Sequence, residues 1–244
     1  MSAPDPHRAA PLPIEGPYAI INADDLTATA AVDRIEALAR GGVCALQLRF
    51  KAATSQHRQT VTAAVGPRAA HLKIPLIIND DVELASADIE GIWGLHVGQE
   101  DLDAIASDPG AAVSALRQRL DPRMRGLGLS THDLDQVRAA VALAPDYIGF
   151  GPVFATRSKA DAAAVTGLDA LRLACDLFPG PVVAIGGVNA SRLSAVRRAG
   201  ARSVAAISAL AGPDAAACER AASALARSWN GASSGHSASY HGDD

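Results

Sequence analysis

Sulfur and aromatic rings are scarce in this chain, which has three cysteines, two methionines and 4% aromatic residues over 244 positions. Cys44, Cys175 and Cys218 lie far apart and show no metal-ligand or redox spacing, so buried thiols in a reducing compartment are expected rather than a disulfide framework or a catalytic cysteine. A basic excess is also missing: 22 Lys and Arg stand against 26 Asp and Glu. Nucleic acid and acidic membrane surfaces are bound mainly through clustered cations, so neither is an expected partner. No apolar run approaches the length of a membrane span, and "MSAPDPHRAAPLPIEGP" holds no apolar stretch of signal-peptide length. A soluble, cytoplasmic chain is the expectation.

Aliphatic residues are plentiful. With 49% apolar and 20% charged residues, the composition is that of a globular chain large enough to bury a substantial core. Residues 1–17, rich in Pro and Ala, read as an N-terminal tail, and residues 229–244, including "NGASSGHSASYHGDD", read as a flexible C-terminal one. Residues 18–228 contain no linker long enough to divide them. One domain is expected there.

That domain alternates two textures. Short apolar runs begin at Tyr18, Val43, Ile74, Trp93, Gly126, Tyr147, Pro181 and Ser203, and between them lie Ala-rich segments with helical spacing, such as "AAVDRIEALARGG" and "HDLDQVRAAVALA". Gly41 and Gly200 stand where helices should stop. The runs are continuous rather than alternating, as in strands buried on both faces of a parallel sheet. Eight such units in a chain of this length predict a single (β/α)8 TIM barrel; a doubly wound open sheet is the competing architecture. A barrel places its chemistry immediately after the strands, at their C-terminal ends.

Polar residues cluster there. Run two ends in "QLRFK", which puts Gln47, Arg49 and Lys51 on one side of an extended chain, suited to an anionic ligand such as a phosphate. Run three ends in Asn79 and Asp80, and run four in "HVGQED", with His96, Gln99 and Asp101. Asp80 and Asp101, from neighbouring strand ends, could share a magnesium ion, although Asn79, Asp80 and Asp101 taken singly also suit helix N-caps. His96 reads as a packed, hydrogen-bonded histidine rather than a proton-transfer group. After run five come Ser130 and Thr131, each readable as cap or ligand, and His132, which like His96 reads as a packed residue or a proton-transfer group. After run six, "GPVFATRSK" carries Thr156, Ser158 and Lys159, which could close over a phosphate. Runs seven and eight end in Gly186–Gly187 and in Ile207–Ser208, the usual place of a barrel's phosphate site, with the amides near Ser208 expected to open a helix.

The ordered segments "LQLRFK", "IINDDVELA", "LHVGQEDL", "GLSTH", "DYIGFGPVFATRSK", "VVAIGGV" and "AISAL" together resemble the thiamine phosphate synthase and thiazole tautomerase family, from about Tyr18 to about Leu225. The resemblance implies a barrel enzyme that joins a hydroxymethylpyrimidine diphosphate to a hydroxyethylthiazole phosphate, giving thiamine phosphate and pyrophosphate with Mg2+. It implies that Gln47, Arg49, Lys51 and Asn79 hold the pyrimidine diphosphate and that Asp80 and Asp101 hold the metal. Ser130, Thr156, Ser158 and Lys159 would contact the pyrophosphate or pyrimidine, with Ser130, Thr156 and Lys159 closest to the chemistry. Gly187, Ile207 and Ser208 would take the thiazole phosphate. The partners so implied are small-molecule substrates, and a homo-oligomer is compatible with the sequence.

Three positions depart from the family pattern. Phe50 stands where an acidic residue is usual, Trp93 where an aspartate is usual, and the segment before Gly94 is about two residues longer. Two other functions stay open: a thiazole tautomerase of the same family, with His132 moving the proton, and a non-catalytic phosphate-binding barrel. Magnesium-dependent pyrophosphate release is expected of the synthase alone.

Overall fold

The computed structural model describes residues 14–120, 126–156 and 164–231. Each apolar run becomes a strand: β1 (Gly16–Asn22), β2 (Ala45–Arg49), β3 (Leu76–Asn79), β4 (Ile92–Val97), β5 (Gly126–Thr131), β6 (Tyr147–Phe150), β7 (Val182–Ile185) and β8 (Ser203–Ala206). All pair in parallel with their sequence neighbours, and β8 pairs with β1 to close the barrel. The open-sheet alternative is thereby ruled out.

The helices are α1 (Ala28–Arg40), α2 (Ser55–His71), α3 (Val82–Ser86), α4 (Gln99–Ile105), α5 (Pro109–Leu120), α6 (Leu134–Leu143), α7 (Gly167–Leu177), α8 (Leu193–Arg198) and α9 (Ala215–Gly231). Several start on side-chain caps that satisfy otherwise unpaired amides. Thr27 accepts from the Ala30 amide, Thr54 from that of His57 and Asp133 from that of Gln136. Gly200 has the left-handed φ expected past a helix end; after α1 that conformation belongs to Gly42. Gly41 serves a different need, because a Cβ there would lie 2.4 Å from the Ala222 Cβ on α9. No described helix is long and apolar enough to cross a membrane.

Strand side chains alternate between two cores, as the pleat requires. Outward-facing residues such as Leu46, Leu48, Ile78, Leu95 and Leu127 are buried against the helices. Inward-facing Tyr18, Ile20, Ile77, Tyr147, Val183 and Ala205 fill the barrel itself. Burying each large aliphatic side chain contributes about 1.5–3 kcal/mol. The interior holds the polar exceptions, Tyr18, Tyr147 and Gln47, and these bond to one another.

Two boundaries differ from the sequence reading. β1 begins at Gly16, and α9 runs to Gly231, so that Trp229 is buried rather than part of a tail. The cause is a local cluster: the Arg197 guanidinium lies 5.1 Å from the Trp229 ring, donates to the Trp229 carbonyl and pairs with Glu15.

The lengthened segment before Gly94 is absorbed without disturbing the barrel mouth. Leu76 pairs with Ile92 but Ile77 with Gly94, so Trp93 is the extra residue of a β-bulge. Its indole turns into the barrel against Tyr147, with ring centroids 6.1 Å apart, over Gly126, where a Cβ would lie 2.1 Å from the indole. Register then resumes with Asn79 opposite His96. The residues beyond both strands are therefore brought to the same level.

Candidate active site

The C-terminal ends of the strands surround one cavity of about 620 Å³. It brings together Arg49 and Lys51 from β2, Asn79 and Asp80 from β3, and Asp101 from the first turn of α4. Ser130 and Thr156 join them from the ends of β5 and β6, and Gly187, Ile207 and Ser208 from those of β7 and β8. Gln47 lies one layer deeper. Its amide donates to the Tyr18 hydroxyl at 2.9 Å, which makes it part of the floor rather than the wall. Ser158 and Lys159 lie outside the described residues.

The β2–β5 side carries charge. The Arg49 Nη1 is buried and has no hydrogen-bond partner among the described residues. A buried guanidinium nitrogen left unpaired is costly, and an anion in the cavity would satisfy it. Asp80 has a left-handed φ of 62°, and its backbone amide donates to the His96 carbonyl at 2.9 Å. The Asn79 side-chain amide and the Gly98 amide both donate to its carboxylate. The capping role falls instead to Asp81, which accepts from the Leu84 amide at 2.9 Å and starts α3. That leaves Asp80 turned toward the cavity.

Burial, and then the nearby charge of Asp101, push the Asp80 carboxyl up to about 6. Gly98 makes room for this crowding, since a Cβ there would lie 3.1 Å from an Asp101 carboxylate oxygen. A divalent cation would relieve two carboxylates held so close. Among the described residues no group of three or more His, Cys, Asp and Glu could hold a metal. A two-carboxylate donor set fits magnesium, which keeps positions for water and phosphate oxygens.

Beneath the charged wall is a floor of aromatic rings. His96 Nε2 is 2.9 Å from the Ser130 hydroxyl, and its ring stacks on Tyr147 at 5.3 Å between centroids. The Tyr147 hydroxyl meets that of Tyr18 at 3.2 Å. Burial raises both phenols well above the ordinary tyrosine range, so both stay protonated. His96 is packed and hydrogen-bonded as its sequence context suggests, and it also reaches the cavity. Thr131 takes the opposite face from Ser130 and is buried, donating to the Gly149 carbonyl at 3.0 Å. His132 lines the cavity with Nδ1 held 2.6 Å from the Gly151 carbonyl.

The β6–β8 side is built from backbone. Gly186 and Gly187 have φ of 93° and 63°. Their lack of side chains lets the segment after β6 lie across them, because a Cβ on Gly187 would sit 2.4 Å from the Ala155 carbonyl oxygen. Val153 and Phe154 amides donate to the Ile185 and Gly186 carbonyls. Arg192 donates to the Gly187 carbonyl and stacks 4.5 Å over the Phe154 ring. The helix that Ser208 opens is a three-residue 3-10 turn, and α9 follows separately from Ala215.

Phe50, where the family pattern has an acid, points away from the cavity and meets the His57 ring edge-on at 6.3 Å. It alternates with Arg49 along the strand, so its replacement leaves the wall's charge unchanged. Sequence reasoning missed Glu100, which lines the cavity within the quoted "GQED" and was legible there. It also missed Asp24, whose partners are backbone amides and leave no sequence signal.

Residues 17–210 match the family model described as thiamine monophosphate synthase. Thiamine-phosphate synthase of Chloroflexus aurantiacus is 39% identical over 183 residues, covering 74% of this chain and 77% of that protein. That of Syntrophomonas wolfei is 33% identical over 196 residues, covering 80% and 88%. Among solved structures, thiamine phosphate pyrophosphorylase from Pyrococcus furiosus superposes with a TM-score of 0.73 at 24% identity, over 89% of this chain and 96% of that one. The closed eight-stranded barrel, the ordered strand-end motifs and these relatives agree, and the chain belongs to the thiamine monophosphate synthase family.

Proposed function

We propose that this protein is a thiamine phosphate synthase, a transferase that forms thiamine phosphate in its barrel mouth from a pyrimidine methyl diphosphate and a thiazole phosphate. The carbon–oxygen bond to the diphosphate breaks, and its electron pair leaves with pyrophosphate. The thiazole nitrogen then donates its lone pair to the resonance-stabilised pyrimidine methylene cation. No protein nucleophile is required. The work is positioning and charge stabilisation at the leaving group.

Arg49, Lys51 and Asn79 hold the diphosphate in this reading, with Ser130 and Thr156 beside it. Ser158 and Lys159 belong to the same group by sequence. Asp80 and Asp101 would hold magnesium, which would supply neutralisation of the leaving group's charge. Gly187, Ile207 and Ser208 receive the thiazole phosphate, while Gln47 supports the floor through Tyr18. The partners are these small molecules, and a soluble, cytoplasmic enzyme suits the absence of a long apolar helix among the described residues.

The observation that carries the reading is the buried Arg49 nitrogen, without a hydrogen-bond partner among the described residues, beside the Asp80–Asp101 pair. A double-bond shift in the thiazole phosphate alone would use neither. The test is pyrophosphate release by purified protein given both heterocycles, with and without magnesium. Release that needs both substrates and the metal is expected. Its absence, with the thiazole phosphate still bound, would transfer the reading to tautomerisation or to binding alone.

A further inference from the structure

The loop that carries Lys51 is fastened from outside the cavity. Asp24, between β1 and α1, accepts hydrogen bonds at one carboxylate oxygen from three consecutive amides, those of Lys51 (2.9 Å), Ala52 (2.9 Å) and Ala53 (3.0 Å). These donors favour the ionised form and hold the Asp24 carboxyl below its usual range, that of Ala52 most strongly. The adjoining Ala23 amide donates to the Arg49 carbonyl at 3.0 Å, and His57 Nε2 donates to the Ala23 carbonyl at 3.0 Å.

The fastening continues to the next strand. Arg58 Nη1 donates to the Ala53 carbonyl at 3.1 Å, and its Nε forms an ion pair with Asp81 at 2.8 Å. Asp81 caps α3 and directly follows Asp80. Asp24 and Arg58 thus tie the cation-bearing segment to the carboxylate-bearing one. Neither residue lines the cavity.

We propose that Asp24 is a positioning residue that fixes Lys51 against the diphosphate, with Arg58 linking the same loop to the Asp80 segment. Three convergent amides specify the turn at residues 51–53, and without their common acceptor the Lys51 backbone samples many orientations. A cation averaged over those orientations binds the diphosphate more weakly and leaves the distant thiazole phosphate site untouched.

This proposal rests on the synthase reading, so its test includes a measurement that does not. Asp24→Ala should speed amide hydrogen exchange at residues 51–53 and raise KM for the pyrimidine diphosphate about tenfold. KM for the thiazole phosphate should stay near wild type while the thermal midpoint falls modestly, and Asp24→Asn, which keeps an acceptor oxygen, should fall between. In a Lys51→Ala background, Asp24→Ala should add nothing further to KM. An equal KM increase with and without Lys51, or faster exchange with unchanged KM, would overturn it. Should the wild type release no pyrophosphate, the synthase reading fails by itself. Affinity for inorganic pyrophosphate then decides the positioning role, with Asp24→Ala expected to weaken it only while Lys51 is present and to refute the proposal otherwise.

Discussion

The two sides of the cavity are built in different ways. From β2 to β5 the wall is made of side chains, Arg49, Lys51, Asn79, Asp80, Asp101 and Ser130, two of them cations and two carboxylates. From β6 to β8 it is mostly backbone, with Gly186, Gly187 and the turn at Ser208. A leaving diphosphate changes its charge distribution as it departs, and formal charges set in a low-dielectric wall respond to that. A phosphate that only anchors its substrate needs placement, which amides and a close-packed backbone supply. The first side should therefore govern turnover together with pyrimidine diphosphate affinity, and the second mainly affinity for the thiazole phosphate.

The strongest way to break this contrast is to neutralise a carboxylate. Asp101→Asn should cut kcat about 100-fold or more and raise the magnesium concentration needed for half-maximal rate. Unchanged metal dependence would remove Asp101 from the proposed metal site. Removing a cation proposed to meet the leaving group, with Lys159→Ala, should lower kcat by about 10- to 100-fold with no change in thermal midpoint, and an unaffected rate would take Lys159 out of the proposed site. On the backbone side, Gly187→Ala forces a side chain into a left-handed φ and against the Ala155 carbonyl. It should cost about 1–3 kcal/mol of stability and raise KM for the thiazole phosphate more than it lowers kcat, read by thermal unfolding and steady-state kinetics. Ser208→Ala should be milder still, within about threefold in that KM, if backbone carries most of the anchoring.

Acidity sharpens the contrast further. The Asp80 carboxyl is raised to about 6 in the folded chain, above the ordinary 3.8, so the native state holds the proton more tightly than the unfolded one. Metal-free stability should fall as pH rises from about 4 to about 6. Asp80→Asn should then raise the thermal midpoint at pH 7 and leave it unchanged at pH 4. Equal effects at both would mean that the pair is not under electrostatic strain.

Much of this organisation was legible in the sequence because both signals were local. Eight apolar runs gave eight strands, since parallel strands buried on both faces need continuous aliphatic sequence. The strand-end residues were legible because a barrel confines its chemistry to one rim. Depth was not. Alternation puts Gln47, Arg49 and Lys51 on the same side of β2, but only the closed barrel shows that Gln47 ends one layer down, against Tyr18. Asp24 was invisible for a related reason: it binds main-chain amides on another strand's loop, and main chain has no letter in the sequence. The Trp93 bulge lay hidden as well, because an insertion shows up as length while its direction depends on the space left by Gly126.

The pairing of Trp93 with Gly126, and of Tyr147 with Gly128, has an evolutionary consequence. A Cβ on either glycine would come within 2.2 Å of the facing ring, so neither glycine can gain a side chain while that ring stays in place. Filling the chamber from the glycine side takes an ordered pair of substitutions, the ring before the glycine, whereas a rim residue changes in one step. New substrate preference in descendants of this chain should therefore arise at the rim, one loop residue at a time, while the aromatic foundation is inherited as a block.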